Sequence, residues 1–150
     1  MFVGISIRFF SQGYTGDWTR GSRIGGEYLI DIGMFSIVRN PLYIGNFFIG
    51  LGFTLISNFH LLILVPIYTV IFVIYYYPIV KSEERYLENK FGTEFTNYVK
   101  KVPSIFPKFK LWKSGNFSAR HALKMERSTH LTIIAIFIIF LLRGLLWKPF

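Results

Sequence analysis

The sequence predicts an all-α integral membrane protein with a helical hairpin, cytosolic C-terminal helices and one further C-terminal apolar helix. The chain of 150 residues is 52% hydrophobic and 19% aromatic, with a mean hydropathy of +0.42. That composition is too apolar for an ordinary soluble domain of this size. The apolar residues also occur in long blocks, which favours membrane integration. We interpret residues 1–150 as a single membrane domain.

The hairpin is predicted from two apolar runs separated by a short turn. Leu42–Ser57 carries no charge, and Leu61–Val80 is an uncharged run long enough for a helix to cross the hydrocarbon. The turn between them is the tetrapeptide "SNFH", so both ends of the hairpin return to the same side. Three small residues in the first run predict the close approach of another helix: Gly45, Gly50 and Gly52.

The segments on either side of the hairpin predict further helices and a loop. Residues 1–10 resemble the end of a helix, and residues 11–33 predict a loop with a short extended piece at "EYLIDIG". The second hairpin helix is predicted to continue into water and to end at Gly92 as its C-cap. Thr93 is predicted to cap another short helix, which "VPSIFP" ends. Residues 128–147 predict the extra apolar helix.

The net charge of +9 is concentrated after the hairpin. Residues 81–127 hold eleven of the seventeen Lys and Arg residues. Basic segments beside membrane spans lie mostly on the cytoplasmic side, so we expect a multi-pass protein with this basic segment in the cytoplasm. Residues 108–127 are predicted to lie along the membrane surface and to contact lipid headgroups. No aromatic-basic nucleic-acid motif is present, so nucleic acid is not an expected partner.

Several kinds of chemistry are excluded or disfavoured by the residue types. The chain has no cysteine. His60, His121 and His130 lack metal-ligand spacing, so no metal site is expected. There is no phosphate-binding glycine loop and no hydrolase nucleophile motif. The polar residues at the hairpin ends remain as candidates for function.

Those polar residues form two clusters that the hairpin should bring together. Arg39, Asn40 and Tyr43 precede or begin the first apolar run, and Glu83 and Glu84 follow the second. A basic-polar cluster should therefore face an acidic pair at the cytoplasmic surface. The alternative interpretation is that these residues only anchor the helices at the membrane interface.

The two clusters lie in stretches that resemble a known superfamily. "GMFSIVRNPLYIGNFFIGLG" is similar to the Arg-His-Pro-x-Tyr-x-Gly signature of the isoprenylcysteine carboxyl methyltransferase and phospholipid methyltransferase superfamily. "EERYLENKFGTEFTNYVKKVPSIFP" resembles its C-terminal signature of Glu-Glu, Phe-Gly and Val-Pro. The resemblance covers residues 27–107, with the motifs in the right order and a hairpin of suitable length between them.

The resemblance implies an integral membrane enzyme that uses S-adenosylmethionine without a Rossmann domain, with its active site facing the cytoplasm. It implies methyl transfer to a lipophilic acceptor, with membrane lipids as surroundings. Arg39 is suited to pair with the cofactor carboxylate or to shape the loop that binds it. The cofactor-binding residues are expected to be Tyr28, Leu29, Ile30, Phe35, Arg39, Asn40, Pro41, Leu42, Tyr43, Glu83 and Glu84. No residue is assigned as a catalytic base, because methyl transfer depends mainly on alignment.

The chain departs from the superfamily pattern at four places, one of which is the apolar stretch 131–147, which lies beyond the second motif and has no role in the superfamily pattern. Asn40 replaces a histidine, and it can exchange hydrogen bonds but cannot carry a proton. Lys81 is the only cation immediately before the acidic pair, where the eukaryotic isoprenylcysteine enzymes have an arginine that meets the substrate. Lys81 is therefore the candidate substrate contact, and the acceptor is either an isoprenylcysteine-like carboxylate or phospholipid-like. About seven residues precede Arg8, so N-terminal helices typical of the superfamily are expected to be missing.

The sequence leaves two other interpretations of function open. Sterol-type reductases share a related architecture and use NADPH, but their second motif has Asp-Glu, Lys-Tyr-Gly and a Tyr-Arg after Val-Pro. This chain has Glu83-Glu84, Phe91-Gly92 and Ser104-Ile105 instead, which favours the methyltransferase. The third reading is a non-catalytic, truncated membrane protein that binds a lipid or a partner.

Overall fold

The computed structural model describes residues 1–15, 28–57 and 60–146, with side chains as far as residue 142. The described residues form seven α-helices and one short 3₁₀ turn at Phe109–Leu111. They contain no β-strand. The helices are α1 (Phe2–Gly13), α2 (Met34–Ile37), α3 (Pro41–Ile56), α4 (Leu61–Phe91), α5 (Thr93–Lys101), α6 (Ala119–Met125) and α7 (Arg127–Leu146).

The predicted hairpin is confirmed as α3 and α4, which are antiparallel neighbours. Pro41 is the first residue of α3, where a proline is tolerated because its missing N–H would have no helical partner. α4 continues past the apolar run and ends at Gly92, whose φ of 51° lies in the region that favours glycine. The long helix therefore carries Glu83 and Glu84 back to the level at which α3 begins.

Helix α1 packs closely along α3, as the glycines of the first apolar run predict. A Cβ atom added at Gly45 would lie 2.9 Å from the carbonyl oxygen of Gly4 and would collide with the side chain of Arg8. A Cβ atom added at Gly52 would likewise collide with Met1, which immediately precedes α1. The two helices are therefore antiparallel, and small residues permit the contact.

The segment that connects α5 to α6, residues 102–118, crosses the end of the bundle at which α3 begins. Its backbone is held at several points. The N–H of Arg39 donates to the carbonyl of Pro103 at 2.9 Å, and the N–H of Lys108 donates to Ile37 at 2.9 Å. Farther along, the N–H of Ser118 donates to the carbonyl of Gly13 at 2.9 Å. These bonds place the connecting segment beside the first sequence motif.

Three local expectations are corrected by the structure. Helix α1 extends to Gly13, beyond the predicted start of the loop at residue 11. Gly92, not Thr93, is the N-cap of α5, and Thr93 is its first helical residue. Residues 28–33 do not form the extended piece as a strand. The rest of the predicted loop, residues 16–27, lies outside the described residues.

Helix length distinguishes the apolar segments. Within the described residues, α4 is the one continuous helix long and apolar enough to cross a membrane. α6 and α7 meet the same test only as a pair, with a bend of 51° between them. α3 has 16 residues, or about 24 Å at 1.5 Å per residue, which is shorter than a hydrocarbon core of about 30 Å.

Candidate functional site

The hairpin brings Arg39 into direct contact with Glu84. Nε and Nη2 of Arg39 both donate to Oε1 of Glu84, at 3.0 and 2.7 Å. Nη1 donates to the carbonyl oxygen of Val102 at 2.8 Å and approaches that of Val99 at 3.4 Å. The side chains are 12% and 15% exposed. Arg39 therefore ties the start of α3 to α4 and to the end of α5.

A second contact across the hairpin joins Tyr43 to Glu83. The Tyr43 hydroxyl donates to Oε2 of Glu83 at 2.7 Å. No described residue donates a hydrogen bond to the other carboxylate oxygen of Glu83, and the residue is only half-buried. This oxygen is therefore able to accept from an ammonium or hydroxyl group of a ligand.

The remaining residues of the first motif are held by α5 and by the connecting segment. Nδ2 of Asn40 donates to Oγ of Ser104 at 2.9 Å and to the Ser104 carbonyl at 3.3 Å. The Tyr98 hydroxyl donates to the carbonyl oxygen of Phe35 at 2.6 Å. Burial raises the pKa of the Tyr98 hydroxyl, so the hydroxyl stays a donor at neutral pH. Pro41 is buried and Leu42 is half-buried.

The charge of Glu84 is favoured by its neighbours. Burial by itself raises the pKa of this carboxyl, but the hydrogen bonds and charge of Arg39, followed by those of Lys81, outweigh it and lower the pKa. Lys81 lies 3.3 Å from Oε2 of Glu84, and its side chain is 55% exposed. Glu84 is therefore an ionised carboxylate at neutral pH, and Lys81 keeps much of its surface in solvent.

No hydrogen bond or ion pair among the described residues joins the residues predicted at 28–30 to this cluster. Leu29 lines a cleft of about 370 Å³ together with Asp31, Ser36 and Tyr98, whereas Tyr28 is 71% exposed. Glu83 and Tyr43 do not line this cleft. The structure thus brings together Arg39, Asn40, Tyr43, Glu83 and Glu84, none of which lines the cleft.

Comparison with known proteins identifies the family. The model of the phospholipid methyltransferase family matches residues 5–94, which is more than half of the chain. The chain belongs to the phospholipid methyltransferase family. This family is part of the isoprenylcysteine carboxyl methyltransferase-like superfamily, as the two sequence motifs indicate. Its members are membrane-associated methyltransferases.

Two curated relatives of this family member carry names that refer to metal resistance. The nickel-cobalt-cadmium resistance protein NccN of Alcaligenes xylosoxydans xylosoxydans is 30% identical over 102 residues, covering 67% of this chain and 46% of the relative. The cobalt-zinc-cadmium resistance protein CzcN of Cupriavidus metallidurans is 28% identical, covering 67% and 45%. The chain thus spans less than half the length of these relatives. No solved structure matches it.

In this family member, the sequence analysis missed a partly buried network of polar side chains beside the motif cluster. Nε and Nη2 of Arg8 donate to the two carboxylate oxygens of Glu126, at 2.9 and 2.8 Å. Nη1 of Arg8 donates to Oδ1 of Asn46 at 2.6 Å, and Nδ2 of Asn46 donates to the Tyr76 hydroxyl at 3.2 Å. The Tyr76 ring lies 5.3 Å from the Tyr43 ring. Polar residues within apolar helices need such partners, so the presence of Arg8 and Asn46 was the available signal.

Proposed function

We propose that the protein transfers a methyl group from S-adenosylmethionine to a lipophilic acceptor at the cytoplasmic face of a membrane that it spans more than once. The observation that carries this proposal is the meeting of the two family motifs at one end of the hairpin. There Tyr43 and Glu83 are in contact, and one oxygen of Glu83 has capacity for a ligand. The apolar surface of α4 is suited to a lipid environment.

The donor set of the cluster fits the cofactor's polar groups. S-adenosylmethionine carries an ammonium and ribose hydroxyls, which a carboxylate such as Glu83 accepts. It also carries a sulfonium, which an aromatic face or phenol oxygen such as that of Tyr43 stabilises. We propose that Asn40, Leu42 and Phe35 form the remaining wall, with Tyr28, Leu29 and Ile30 on the adenosyl side. In this scheme the buried Pro41 sets the direction of α3.

Arg39 and Glu84 have a different role in this proposal. The guanidinium already donates to Glu84 and to the carbonyls of Val99 and Val102. Arg39 therefore acts on the cofactor by holding the loop of residues 38–41 in place and not through direct pairing with its carboxylate. Glu84 holds Arg39 in that position. We classify both as positioning residues.

The cofactor supplies an electrophilic methyl group, so the protein has to align the acceptor and exclude water. Alignment provides most of the acceleration in such a transfer, and no residue is needed as a base when the acceptor is already a nucleophile. The exposed ammonium of Lys81, beside the site, is our candidate contact for an anionic acceptor. Both an isoprenylcysteine-like carboxylate and a phospholipid-like headgroup fit this description.

The metal-resistance names of the relatives do not lead us to propose direct metal coordination. The chain contains no cysteine. Within the described ranges, no group of three or more His, Asp or Glu residues is placed to hold a metal ion. In our proposal, any effect of the protein on metal tolerance would therefore come from the methylated product and not from direct binding of the metal.

Isothermal titration of the purified protein with S-adenosylmethionine tests the cofactor assignment. We expect binding in the wild type and a loss of affinity of at least about tenfold in Glu83→Gln, since a neutral amide cannot form the charge-assisted bond. Lys90→Gln, seven residues beyond Glu83 on the same helix and outside the predicted cofactor-binding residues, is the matched control. Absence of binding at millimolar cofactor would overturn the proposal.

Methyl transfer to an acceptor is measured separately. Membrane lipid extracts incubated with the protein and radiolabelled cofactor should yield a labelled, solvent-extractable product. Binding of NADPH in place of S-adenosylmethionine would favour the reductase reading. Binding of neither cofactor, with lipid bound, would favour the non-catalytic reading.

A further inference from the structure

The connecting segment, residues 102–118, combines exposed aromatic residues with cations and lies in a stretch without acids. Residues 95–125 contain seven Lys and Arg residues and no Asp or Glu. Phe106 is 84% exposed, Phe109 74% and Trp112 49%. The exposed Lys108 and Lys110 alternate with these rings, and neither forms an ion pair within the described part of the chain.

The exposure of these rings is not explained by a loose backbone. Hydrogen bonds hold the segment at Lys108, which bonds to Ile37, and at Lys113, whose N–H donates to Oγ of Ser36 at 2.9 Å. The Phe117 ring packs against Tyr14, with ring centroids 5.3 Å apart. A fixed backbone therefore presents the aromatic rings outward. Exposed apolar clusters of this kind mark interaction surfaces.

The position of the segment indicates which surface it meets. Its bonds to Ile37 and to Arg39 place it where α3 begins. Arg39 pairs with Glu84, four residues beyond the apolar run of α4 that ends at Val80. The segment thus lies at the level where the hairpin changes from apolar to charged, which is the headgroup level of a membrane crossed by α4.

We propose that the connecting segment docks on a membrane surface that carries anionic phospholipids. The aromatic rings enter the boundary between headgroups and acyl chains, where such rings are favoured. Lys108 and Lys110 lie among the phosphates and enrich anionic lipids around the site. This inference rests on the proposed membrane crossing by α4 and not on the proposed methyl transfer.

Fluorescence of Trp112 in reconstituted full-length protein tests the proposal. Trp18→Phe together with Trp147→Phe leaves Trp112 as the only tryptophan. Nanodiscs then contain lipid brominated high on the acyl chain, either phosphatidylglycerol or phosphatidylcholine at equal mole fraction. We expect quenching of Trp112 in both, with at least about twofold stronger quenching by the brominated phosphatidylglycerol. Lys108→Gln with Lys110→Gln should remove that difference and leave quenching itself.

The matched control removes two cations from the part of α4 beyond the apolar run, in Arg85→Gln with Lys90→Gln. This variant should keep the preference for phosphatidylglycerol, and circular dichroism should confirm unchanged helix content in both double variants. Unquenched Trp112 in both lipids overturns the docking. Equal quenching by the two lipids, unchanged by the lysine substitutions, overturns the preference for anionic lipid. Binding of labelled single-stranded DNA that needs Lys108 and Lys110, without a lipid preference, would assign the surface to nucleic acid instead.

Discussion

The Arg39–Glu84 pair and the Arg8–Glu126 pair use the same chemistry but differ in the burial of the carboxylate and in the distance along the chain that they bridge. Arg39 and Glu84 are 45 residues apart, within or beside the two sequence motifs, and both keep some solvent contact. Arg8 and Glu126 are 118 residues apart, and Glu126 is 1% exposed. Glu126 also lies outside the region matched by the family model. The motif pair shapes the candidate site, whereas the distant pair attaches the C-terminal helices to α1.

The largest expected effect comes from breaking the distant pair. Glu126→Ala removes a carboxylate that is 1% exposed and leaves the largely buried Arg8 guanidinium without its ion-pair partner, which should lower the free energy of unfolding by about 3–5 kcal/mol. Denaturant titration in mild detergent micelles measures this change. In Arg8→Met with Glu126→Met both charges are absent, and most of the stability should return. A double variant as unstable as Glu126→Ala would contradict the ion pair as the cause.

Breaking the motif pair should cost less stability and more function. In Glu84→Ala, Arg39 keeps its carbonyl acceptors Val99 and Val102 and some contact with water. The free energy of unfolding should therefore fall by about 1–3 kcal/mol. Affinity for S-adenosylmethionine should fall as well, because the loop that holds Asn40 loses its support. The same titrations that measure Glu126→Ala test this contrast. A larger stability loss for Glu84→Ala than for Glu126→Ala would reverse the comparison.

The Arg39–Glu84 pair should also make the free energy of unfolding depend on pH in the acidic range. The folded state lowers the pKa of Glu84, so the contribution of this carboxylate is complete above the ordinary glutamate pKa of about 4.3. That contribution is lost as the pH falls through the lower folded-state pKa. Unfolding measured from pH 6 to pH 3 should show a steeper loss in the wild type than in Glu84→Gln. An identical pH dependence of stability in the wild type and Glu84→Gln would show that Glu84 is not the cause of the acid sensitivity.

Tyr43 and Tyr76 connect the surroundings of the two pairs, and their coupling is measurable. Tyr43→Phe removes the hydrogen bond to Glu83 and should lower the free energy of unfolding by about 1 kcal/mol. Tyr76→Phe removes the acceptor of Asn46. Because the two rings are in contact, the double variant should depart from additivity by about 0.5 kcal/mol or more. Strict additivity would mean that the two clusters act independently.

Lys81 should have the smallest effect on stability. Its ion pair with Glu84 is largely exposed, and such pairs contribute about 0–1 kcal/mol. Lys81→Met should therefore leave unfolding nearly unchanged. If Lys81 contacts the methyl acceptor, the same variant should raise KM for an anionic acceptor and leave cofactor affinity unaltered. A fall in cofactor affinity would mean that Lys81 contacts the cofactor and not the methyl acceptor.

The contacts of the motif cluster could be predicted from the chain, whereas those of the distant pair could not. A turn of a few residues forces the two hairpin ends together, so Arg39 and Tyr43 had to meet Glu83 and Glu84. The extent of α4 and its end at Gly92 followed from apolar length and a glycine cap. The helix at Met34–Ile37 and the end of α1 at Gly13 were missed because their signals are short and weak. The cleft that Leu29 lines and Glu83 does not also depends on packing between distant segments.

By itself, the sequence determined the hairpin, the family and the polar cluster at one end of the hairpin. Apolar runs, glycines and a short turn are local features, and their geometric consequences extend only as far as the turn. The tertiary structure decided that Arg39 is saturated by Glu84, Val99 and Val102, and that one oxygen of Glu83 keeps capacity for a ligand. It also decided that Glu126 pairs with Arg8. The reason is physical: a charge brought into an apolar bundle needs a partner, but the partner's position along the chain depends on how all the helices pack.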